Sequence, residues 1–234
     1  MTTPRRGHGP ATRWWLVVPV AAAALLASCA AGAAPGSDVL WRIVSQCIDP
    51  GAAGYCSRCD WPIEGSCGAS RDCRRSTQVW AETREYVAIR DIKMCGCPLD
   101  FVHGLALPRA PVTGVEDPRR PAGIWAFAWE VTRRLIPDES EVALVVNPPG
   151  ARTQGQLHVH LVRLAPGARA RVAARAVAPA ATLGQVWDAA ARAAAAAKLD
   201  DYGVLVMRDD AGHGFLVLAD PASPEGAFTV STCR

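Results

Sequence analysis

The sequence predicts an α+β fold with a largely antiparallel sheet and packed helices. Strand-length segments rich in apolar residues recur between residues 78 and 218, and several follow one another through short turns. Two stretches with helical character, residues 124–136 and 182–199, interrupt the strands. Strands joined by hairpins, with helices between them, are typical of an antiparallel sheet covered by helices. After the leader described next, about 200 residues remain, enough for one hydrophobic core.

The first residues have the features of an export signal. Three arginines precede an apolar run from Trp14 to Leu26, which is too short to span a membrane. The run ends in Leu-Ala-Ser-Cys29, similar to the cleavage site of bacterial lipoproteins. We predict a signal peptide over residues 1–28, lipidation of Cys29 and a tether over residues 29–37. The product would be an extracytoplasmic, membrane-anchored lipoprotein of the bacterial cell envelope; the alternative is an ordinary cleavage site.

A single domain is predicted over residues 38–234, and its first half holds a helix, a loop-like insert and three strands. Ser37 can cap a helix that runs to about Ile48 with apolar residues at helical spacing. A Cys-rich insert, residues 56–97, overlaps the next elements. Apolar and β-branched residues then predict strands at Gln78–Glu82, Tyr86–Ile92 and Gly104–Leu107.

The second half alternates helices with strands. An apolar face predicts a helix over Ile124–Ile136, and a capping box at Thr182 with an alanine-rich run predicts another to Leu199. Strands are predicted at Glu141–Val146 and Gln156–Leu164 on either side of a Pro-Pro-Gly loop, and at Tyr202–Arg208 and Gly214–Leu218 as a hairpin.

The charge of the chain comes from its leader. The formal net charge is +3, and the leader carries three arginines and no acidic residue. The remaining domain is therefore neutral overall. This gives no electrostatic basis for binding nucleic acid or an anionic membrane surface.

Nine cysteines occur in the chain, and eight remain if Cys29 is lipidated. An even number in an exported protein predicts disulfides. The alternative is zinc, because Cys56-x-x-Cys59 is half of a structural zinc site. Export favours oxidation, so we predict disulfides, with the connectivity left open.

Two histidines lie two residues apart in the alternating segment Leu157-His158-Val159-His160-Leu161. In a strand, residues i and i+2 point to the same face, so the imidazoles should stand side by side with the apolar residues behind them. Imidazole can be a nucleophile, a general base or a metal ligand near neutral pH. The preceding loop, residues 147–154, can present polar groups to a ligand.

This spacing resembles the histidine triad superfamily of nucleotide hydrolases and transferases. Asn147 is followed after six residues by Gln154, and three more residues lead to His158-x-His160. The third histidine position holds Val162, so the triad is incomplete.

The chain is also similar to one branch of that superfamily, the exported bacterial CDP-diacylglycerol pyrophosphatases. The shared features are Arg152-Thr-Gln154, a Leu40-x-x-Ile43-Val44 helix that ends near Cys47, and Cys233 near the C-terminus. The similarity covers most of residues 38–220. It implies a histidine-triad-like fold and hydrolysis of CDP-diacylglycerol to CMP and phosphatidate through a nucleotidyl-histidine intermediate, with no cofactor and no metal.

The resemblance also implies roles for individual residues. His160 falls on the nucleophile position and His158 on a helper position; a register shifted by two residues would make His158 the nucleophile. The substrate- and phosphate-binding candidates are Asn147, Gln154, Arg152 and His103. For Arg152 the alternative is a surface loop arginine, and for His103 a strand-end histidine bound to backbone. Arg109 is a weaker phosphate-binding candidate.

Three alternatives remain open at this point. His158 and His160 could be half of a zinc site, although no carboxylate or thiol lies at ligand spacing along the chain. The enzyme could instead be an exported pyrophosphatase acting on soluble dinucleotides or nucleotide sugars, or the protein a non-catalytic nucleotide-binding lipoprotein. A lipid substrate would need an apolar exit, expected near the helix of Trp125 and Trp129 or at the Cys-rich insert.

Overall fold

The computed structural model describes residues 39–48, 78–94, 97–98 and 100–233, together with Met1 and Thr2. The chain divides into two compact units, Met1–Gly32 and Ala33–Arg234. All elements described below belong to the second unit. Apart from Met1 and Thr2, the predicted leader lies outside the described residues, and so do the tether and most of the Cys-rich insert.

The strands of the described part form one antiparallel sheet, with the spatial order β1-β2-β3-β5-β4-β7-β8-β6. The strands are β1 (Val79–Glu82), β2 (Tyr86–Arg90), β3 (His103–Pro108), β4 (Val142–Val146), β5 (Val159–Arg163), β6 (Val177–Ala180), β7 (Gly203–Arg208) and β8 (Phe215–Asp220).

Five helices accompany the sheet within the described residues. They are α1 (Val39–Arg42), which continues as a π-helical turn over Ile43–Cys47, α2 (Gly123–Leu135), α3 (Ala168–Ala173), α4 (Val186–Ala197) and α5 (Pro224–Phe228). Helices packed on an antiparallel sheet confirm the predicted α+β class. The likeness to the histidine triad fold stays a prediction from the motif.

Several predicted boundaries are wrong by a few residues. The strand predicted to begin at Gln156 begins at Val159, because residue 157 instead donates its backbone N–H to Val112 O at 2.6 Å. The strand predicted to reach Ile92 ends at Arg90, where the chain turns into a short 3₁₀ helix. The alanine-rich helix ends at Ala197, because Lys198 has a left-handed backbone (φ 57°).

Three short elements were not predicted, namely α3, β6 and α5. All are six residues or fewer, so they carry little periodic signal. Strand β6 also contains Pro179, which lacks a backbone N–H and is tolerated there because β6 is the edge strand next to β8.

The two faces of the sheet are covered differently. Helices α2 and α4 pack on one face, where Trp125 and Trp187 meet edge to face with ring centroids 4.7 Å apart. The other face carries two separate apolar clusters. One joins α1 to β2 and β3, and the other joins α3 and α5 to β4, β7 and β8.

His160 lies on the second face, between these two clusters. Its Cα partner in β3 is Leu105, which belongs to the α1 cluster, and its partner in β4 is Val145, which belongs to the other cluster. The gap between the two clusters is therefore the place where polar side chains of the strands lie.

The close packing around Gly203 gives a prediction about stability. A Cβ at this position would lie 2.7 Å from both Pro148 Cδ and Val146 O, and 2.8 Å from Pro224 Cδ. Gly203→Ala should lower the free energy of unfolding by about 1–3 kcal/mol, because backbone and proline rings must move. Urea unfolding measures the change.

Gly184→Ala is the matched control. Its Cβ would meet no atom nearer than Thr182 Oγ1 at 3.8 Å, so the substitution should be neutral or stabilise by roughly 0.4–1 kcal/mol. Equal stability of the two variants would contradict the close packing at Gly203.

Candidate functional site

Two imidazoles from neighbouring strands form the centre of the site. His103 Nε2 lies 3.1 Å from His160 Nδ1, and His103 Nδ1 lies 3.2 Å from the carbonyl oxygen of Ser231. A carbonyl can only accept, so His103 carries its proton on Nδ1 and its Nε2 accepts from His160 Nδ1–H. This tautomer leaves the lone pair of His160 on Nε2.

His158 completes a row of three histidines. Its Nδ1 donates to Gln156 O at 2.8 Å, and its ring centroid lies 4.9 Å from that of His160. Leu157, Val159 and Leu161 pack into the core on the opposite face, as predicted. The two imidazoles of the motif therefore do stand side by side, and the Nε2 of His158 also keeps its lone pair.

Burial keeps all three imidazoles neutral near pH 7. It lowers the pKa of His103 and of His158, and it lowers the pKa of His160 well below the usual 6.5. The neighbouring histidines and Lys93 lower the pKa of His160 further. A neutral imidazole is the form that can attack phosphorus or bind a metal.

Asn147 is held with its amide nitrogen toward His160. Ser223 Oγ donates to Asn147 Oδ1 at 2.9 Å, and Asn147 Nδ2 donates to Glu225 Oε2 at 2.7 Å. The same nitrogen lies 3.4 Å from His160 Nε2. The amide orientation is thus fixed by three partners.

Asp91, Lys93 and Glu225 belong to the site, although no sequence motif pointed to them. Lys93 Nζ donates to Glu225 Oε1 at 2.6 Å, and Asp91 Oδ2 lies 3.4 Å from His103 Nε2. Burial alone would raise the pKa of Glu225, but the Lys93 and Asn147 hydrogen bonds hold it below its usual value. Their approach to the histidines depends on the order of the strands and on α5, which local patterns in the sequence do not reveal.

Of the predicted phosphate-binding residues, Asn147, Gln154 and Arg152 line one cavity, whereas His103 is fully buried and bound to the Ser231 carbonyl. Gln154 Oε1 accepts from Leu40 N at 3.3 Å, so its amide nitrogen is the group that can donate to a ligand. Arg152 also lines the cavity, but its guanidinium forms a two-point ion pair with Glu116. Arg109 lies elsewhere, where it donates to Ile48 O at 2.7 Å and to Glu82 Oε2 at 2.8 Å; its predicted phosphate contact is not supported.

The cavity beside His158 and His160 has a volume of about 360 Å³. The predicted apolar exit at the α2 helix is wrong, because Trp125 and Trp129 are buried in the core on the other face of the sheet. The apolar wall comes instead from α1 and the strands beside it. Its residues are Val39, Leu40, Ile43, Ile89 and Leu105, and the polar wall includes Lys93, Asn147, Gln154, His158, His160 and Glu225.

A disulfide between Cys97 and Cys233 confirms the prediction of oxidised cysteines. It fixes the C-terminal segment whose Ser231 carbonyl orients His103. The remaining cysteines of the insert lie outside the described residues. The alternative of a zinc site at these cysteines therefore stays untested.

Asp91, His103 and His160 could also hold a metal ion, since their ligand atoms lie within 4.8 Å of one another. No carboxylate lies at ligand spacing from these histidines along the chain, but the pairing of β2 with β3 brings Asp91 close to them in the folded protein.

The site of this α+β chain is a row of three buried imidazoles, two of which, His158 and His160, line one cavity. Residues 35–193 match the family described as CDH: CDP-diacylglycerol pyrophosphatase. The chain belongs to the CDP-diacylglycerol pyrophosphatase family, which confirms the resemblance drawn from the motif.

Individual relatives match over shorter stretches. A CDP-diacylglycerol pyrophosphatase of Mycobacterium bovis (strain BCG / Pasteur 1173P2) is 47% identical over 68 residues, 24% of this chain and 26% of the relative. One of Yersinia pestis is 26% identical over 148 residues, 59% of this chain and 49% of the relative. The match thus spans less than half the length of each of these relatives.

The depressed histidine pKa values predict how stability depends on pH. The unfolded chain takes up protons below about pH 6.5, where the folded protein does not. The three neutral histidines should therefore make their full contribution to the free energy of unfolding above that pH. This contribution should fall as the pH drops toward the pKa values of the histidines in the folded protein. Urea unfolding between about pH 7.5 and pH 5 measures this.

His160→Gln is the informative variant in the same series. Because glutamine does not titrate, the fall in stability toward acid pH should be less steep than in the natural protein. If the free energy of unfolding of the natural protein stayed constant over this pH interval, the result would contradict the claim that the buried histidines are neutral.

Proposed function

We propose that the protein hydrolyses the pyrophosphate bond of CDP-diacylglycerol to CMP and phosphatidate through a nucleotidyl-histidine intermediate. The observation that carries the proposal is the cavity itself. One wall presents neutral imidazoles and amide donors suited to phosphate, and the other is apolar and suited to a lipid. The relatives from Mycobacterium bovis and Yersinia pestis are CDP-diacylglycerol pyrophosphatases.

In the proposed first step, the lone pair on His160 Nε2 attacks the phosphorus that bears cytidine. The bond from that phosphorus to the bridging oxygen breaks, and its electrons leave with phosphatidate. His160 keeps its Nδ1 proton, held by His103 Nε2 at 3.1 Å. The amides of Asn147 and Gln154 would take up charge on the non-bridging oxygens.

In the second step, water attacks the same phosphorus. The N–P bond breaks, its electrons return to His160 Nε2, and the water proton passes to a base. We assign that proton transfer to His158, because its Nδ1 is bound to Gln156 O, which leaves the lone pair on Nε2 to accept a proton. CMP then leaves.

The apolar wall favours a lipid-linked over a soluble substrate. Val39, Leu40 and Ile43 from the α1 segment line the cavity beside the polar wall, and apolar side chains in contact with acyl or glycerol carbons gain roughly 25 cal/mol per Å² removed from water. Soluble nucleotide sugars would leave this wall uncovered.

The first experiment is turnover of CDP-diacylglycerol, with soluble dinucleotides and nucleotide sugars compared in the same assay. We expect CMP and phosphatidate from the lipid substrate, with a higher kcat/KM than for any soluble pyrophosphate. Binding of nucleotide with no turnover would support the non-catalytic alternative.

His160→Ala should abolish hydrolysis, because the group that bonds to phosphorus is lost. His158→Ala should lose about 10²–10⁴-fold in kcat as a proton-transfer helper, and Gln154→Ala about 10²-fold as an oxyanion donor. A phosphoramidate adduct should be trapped in the natural protein.

Peptide mapping of that adduct decides the register. Fragment ions should place it on His160; an adduct on His158 would favour the shifted register. Turnover with no adduct and with dependence on added divalent metal would replace the nucleophile mechanism by the metal alternative.

We also propose that Cys29 carries a lipid anchor that holds the enzyme at a membrane. Within the described residues, no helix has the length and hydropathy needed to cross a bilayer. The anchor rests on the Leu-Ala-Ser-Cys29 motif. Cys29→Ser should move the protein from the detergent phase to the soluble fraction, and unchanged detergent partitioning would contradict lipidation.

A further inference from the structure

The carboxylate of Glu225 lies between the two central imidazoles. Its Oε2 is 3.3 Å from His160 Nε2, and its Oε1 is 3.5 Å from His103 Nε2. Glu225 is nearly fully buried and comes from α5, more than sixty residues after the histidine motif along the chain. Glu225 is not a reacting group in either proposed step.

The hydrogen bonds of Glu225 require a carboxylate. Lys93 Nζ donates to one oxygen at 2.6 Å, and Asn147 Nδ2 donates to the other at 2.7 Å. An ionised carboxylate accepts at both oxygens, whereas a glutamine offers one acceptor and one donor. A glutamine could therefore satisfy either Lys93 or Asn147, but not both.

The proposed adduct places a positive charge on His160, where burial, Lys93 and the neighbouring histidines disfavour a cation. In the adduct, His160 bonds to phosphorus through Nε2 and retains Nδ1–H, so its ring becomes positively charged. A buried cation without a counter-charge is strongly unfavourable. The charged or titratable groups near His103 and His160 are Asp91 and Lys93 after β2, His158 before β5, and Glu225 on α5. Arg152, paired with Glu116, acts on His158.

We propose that Glu225 is the positioning residue of this site: it fixes Asn147 and Lys93 and offsets the positive charge that His160 carries in the adduct. The proposal rests on the proposed function for the adduct itself. Asp91 has the equivalent place beside His103, 3.4 Å from its Nε2. Lys93 forms an ion pair with Glu225 and so offsets part of the negative charge of the free site.

The test measures the pKa of each histidine in the full chain by exchange of the ring C2 proton, read by mass spectrometry, which needs no turnover. An opposite charge within about 4–6 Å shifts a pKa by about 1–3 pH units. Glu225→Gln should therefore lower the pKa of His160 and of His103, and Lys93→Met should raise both. If Glu225 and Lys93 only held the fold, replacing them would not shift the pKa values of His160 and His103 in opposite directions.

The same variants are then assayed for adduct formation in a single turnover. Glu225→Gln should form the adduct about 10- to 1,000-fold more slowly, tenfold for each pH unit of lost interaction. Asp220→Asn is the matched control, because it removes another buried carboxylate, which caps Ala222 and faces Arg175 outside the cavity. It should leave the histidine titrations and the adduct rate unchanged.

The outcomes separate this inference from the proposed function. Turnover and adduct in the natural protein, with histidine titrations unaltered by Glu225→Gln, would overturn the role of Glu225 and leave the function intact. Opposite titration shifts in a protein that forms no adduct would support the electrostatic role and reject the nucleotidyl-histidine mechanism.

Discussion

The hydrogen bond between His160 and His103 is the interaction on which the rest of the site depends. It requires β3 and β5 to be neighbours in one register, since His160 pairs with Leu105 and the two rings meet diagonally across the strands. It also requires the carbonyl of Ser231, which sets the tautomer of His103. That carbonyl is kept in place by the disulfide between Cys97 and Cys233. The antiparallel sheet and the oxidised C-terminus thus determine which nitrogen of His160 carries the lone pair.

The three buried histidines lie in a gap between two apolar clusters of the same sheet face. On one face of the sheet the core under α2 and α4 is continuous, whereas on the other it is split into the α1 cluster and the α3–α5 cluster. Desolvation in the gap lowers the pKa of each imidazole and keeps it neutral. The α1 cluster also forms the apolar wall of the cavity. One feature of the packing therefore supplies both the neutral imidazole and a surface for lipid.

The local part of this site could be predicted from the sequence, and the distant part could not. Alternation placed His158 and His160 on one face, and the loop before them contains Asn147 and Gln154, which line the same cavity. Asp91, Lys93 and Glu225 come from other elements, and their approach depends on the strand order β2-β3-β5-β4 and on α5. The same limit applies to the fold. Long periodic helices and strands were found within a few residues, while α3, β6 and α5 are too short to show a period.

The polar cluster behaves as a unit, because each member satisfies more than one neighbour. Asn147 links Ser223, Glu225 and His160, and Glu225 in turn links Lys93 and both imidazoles. In a buried network, loss of one partner leaves others unsatisfied, so energies measured by single substitutions do not add. Arg152 stands apart from this network, since it is occupied by Glu116. Lys93 Nζ has three N–H donors and is partly exposed, so a phosphate that enters the cavity can bind it while the ion pair with Glu225 stays in place. Arg152 can likewise keep Glu116 while another N–H group of its guanidinium meets the phosphate. Substrate binding therefore adds a phosphate to existing ion pairs and changes the charge around His160.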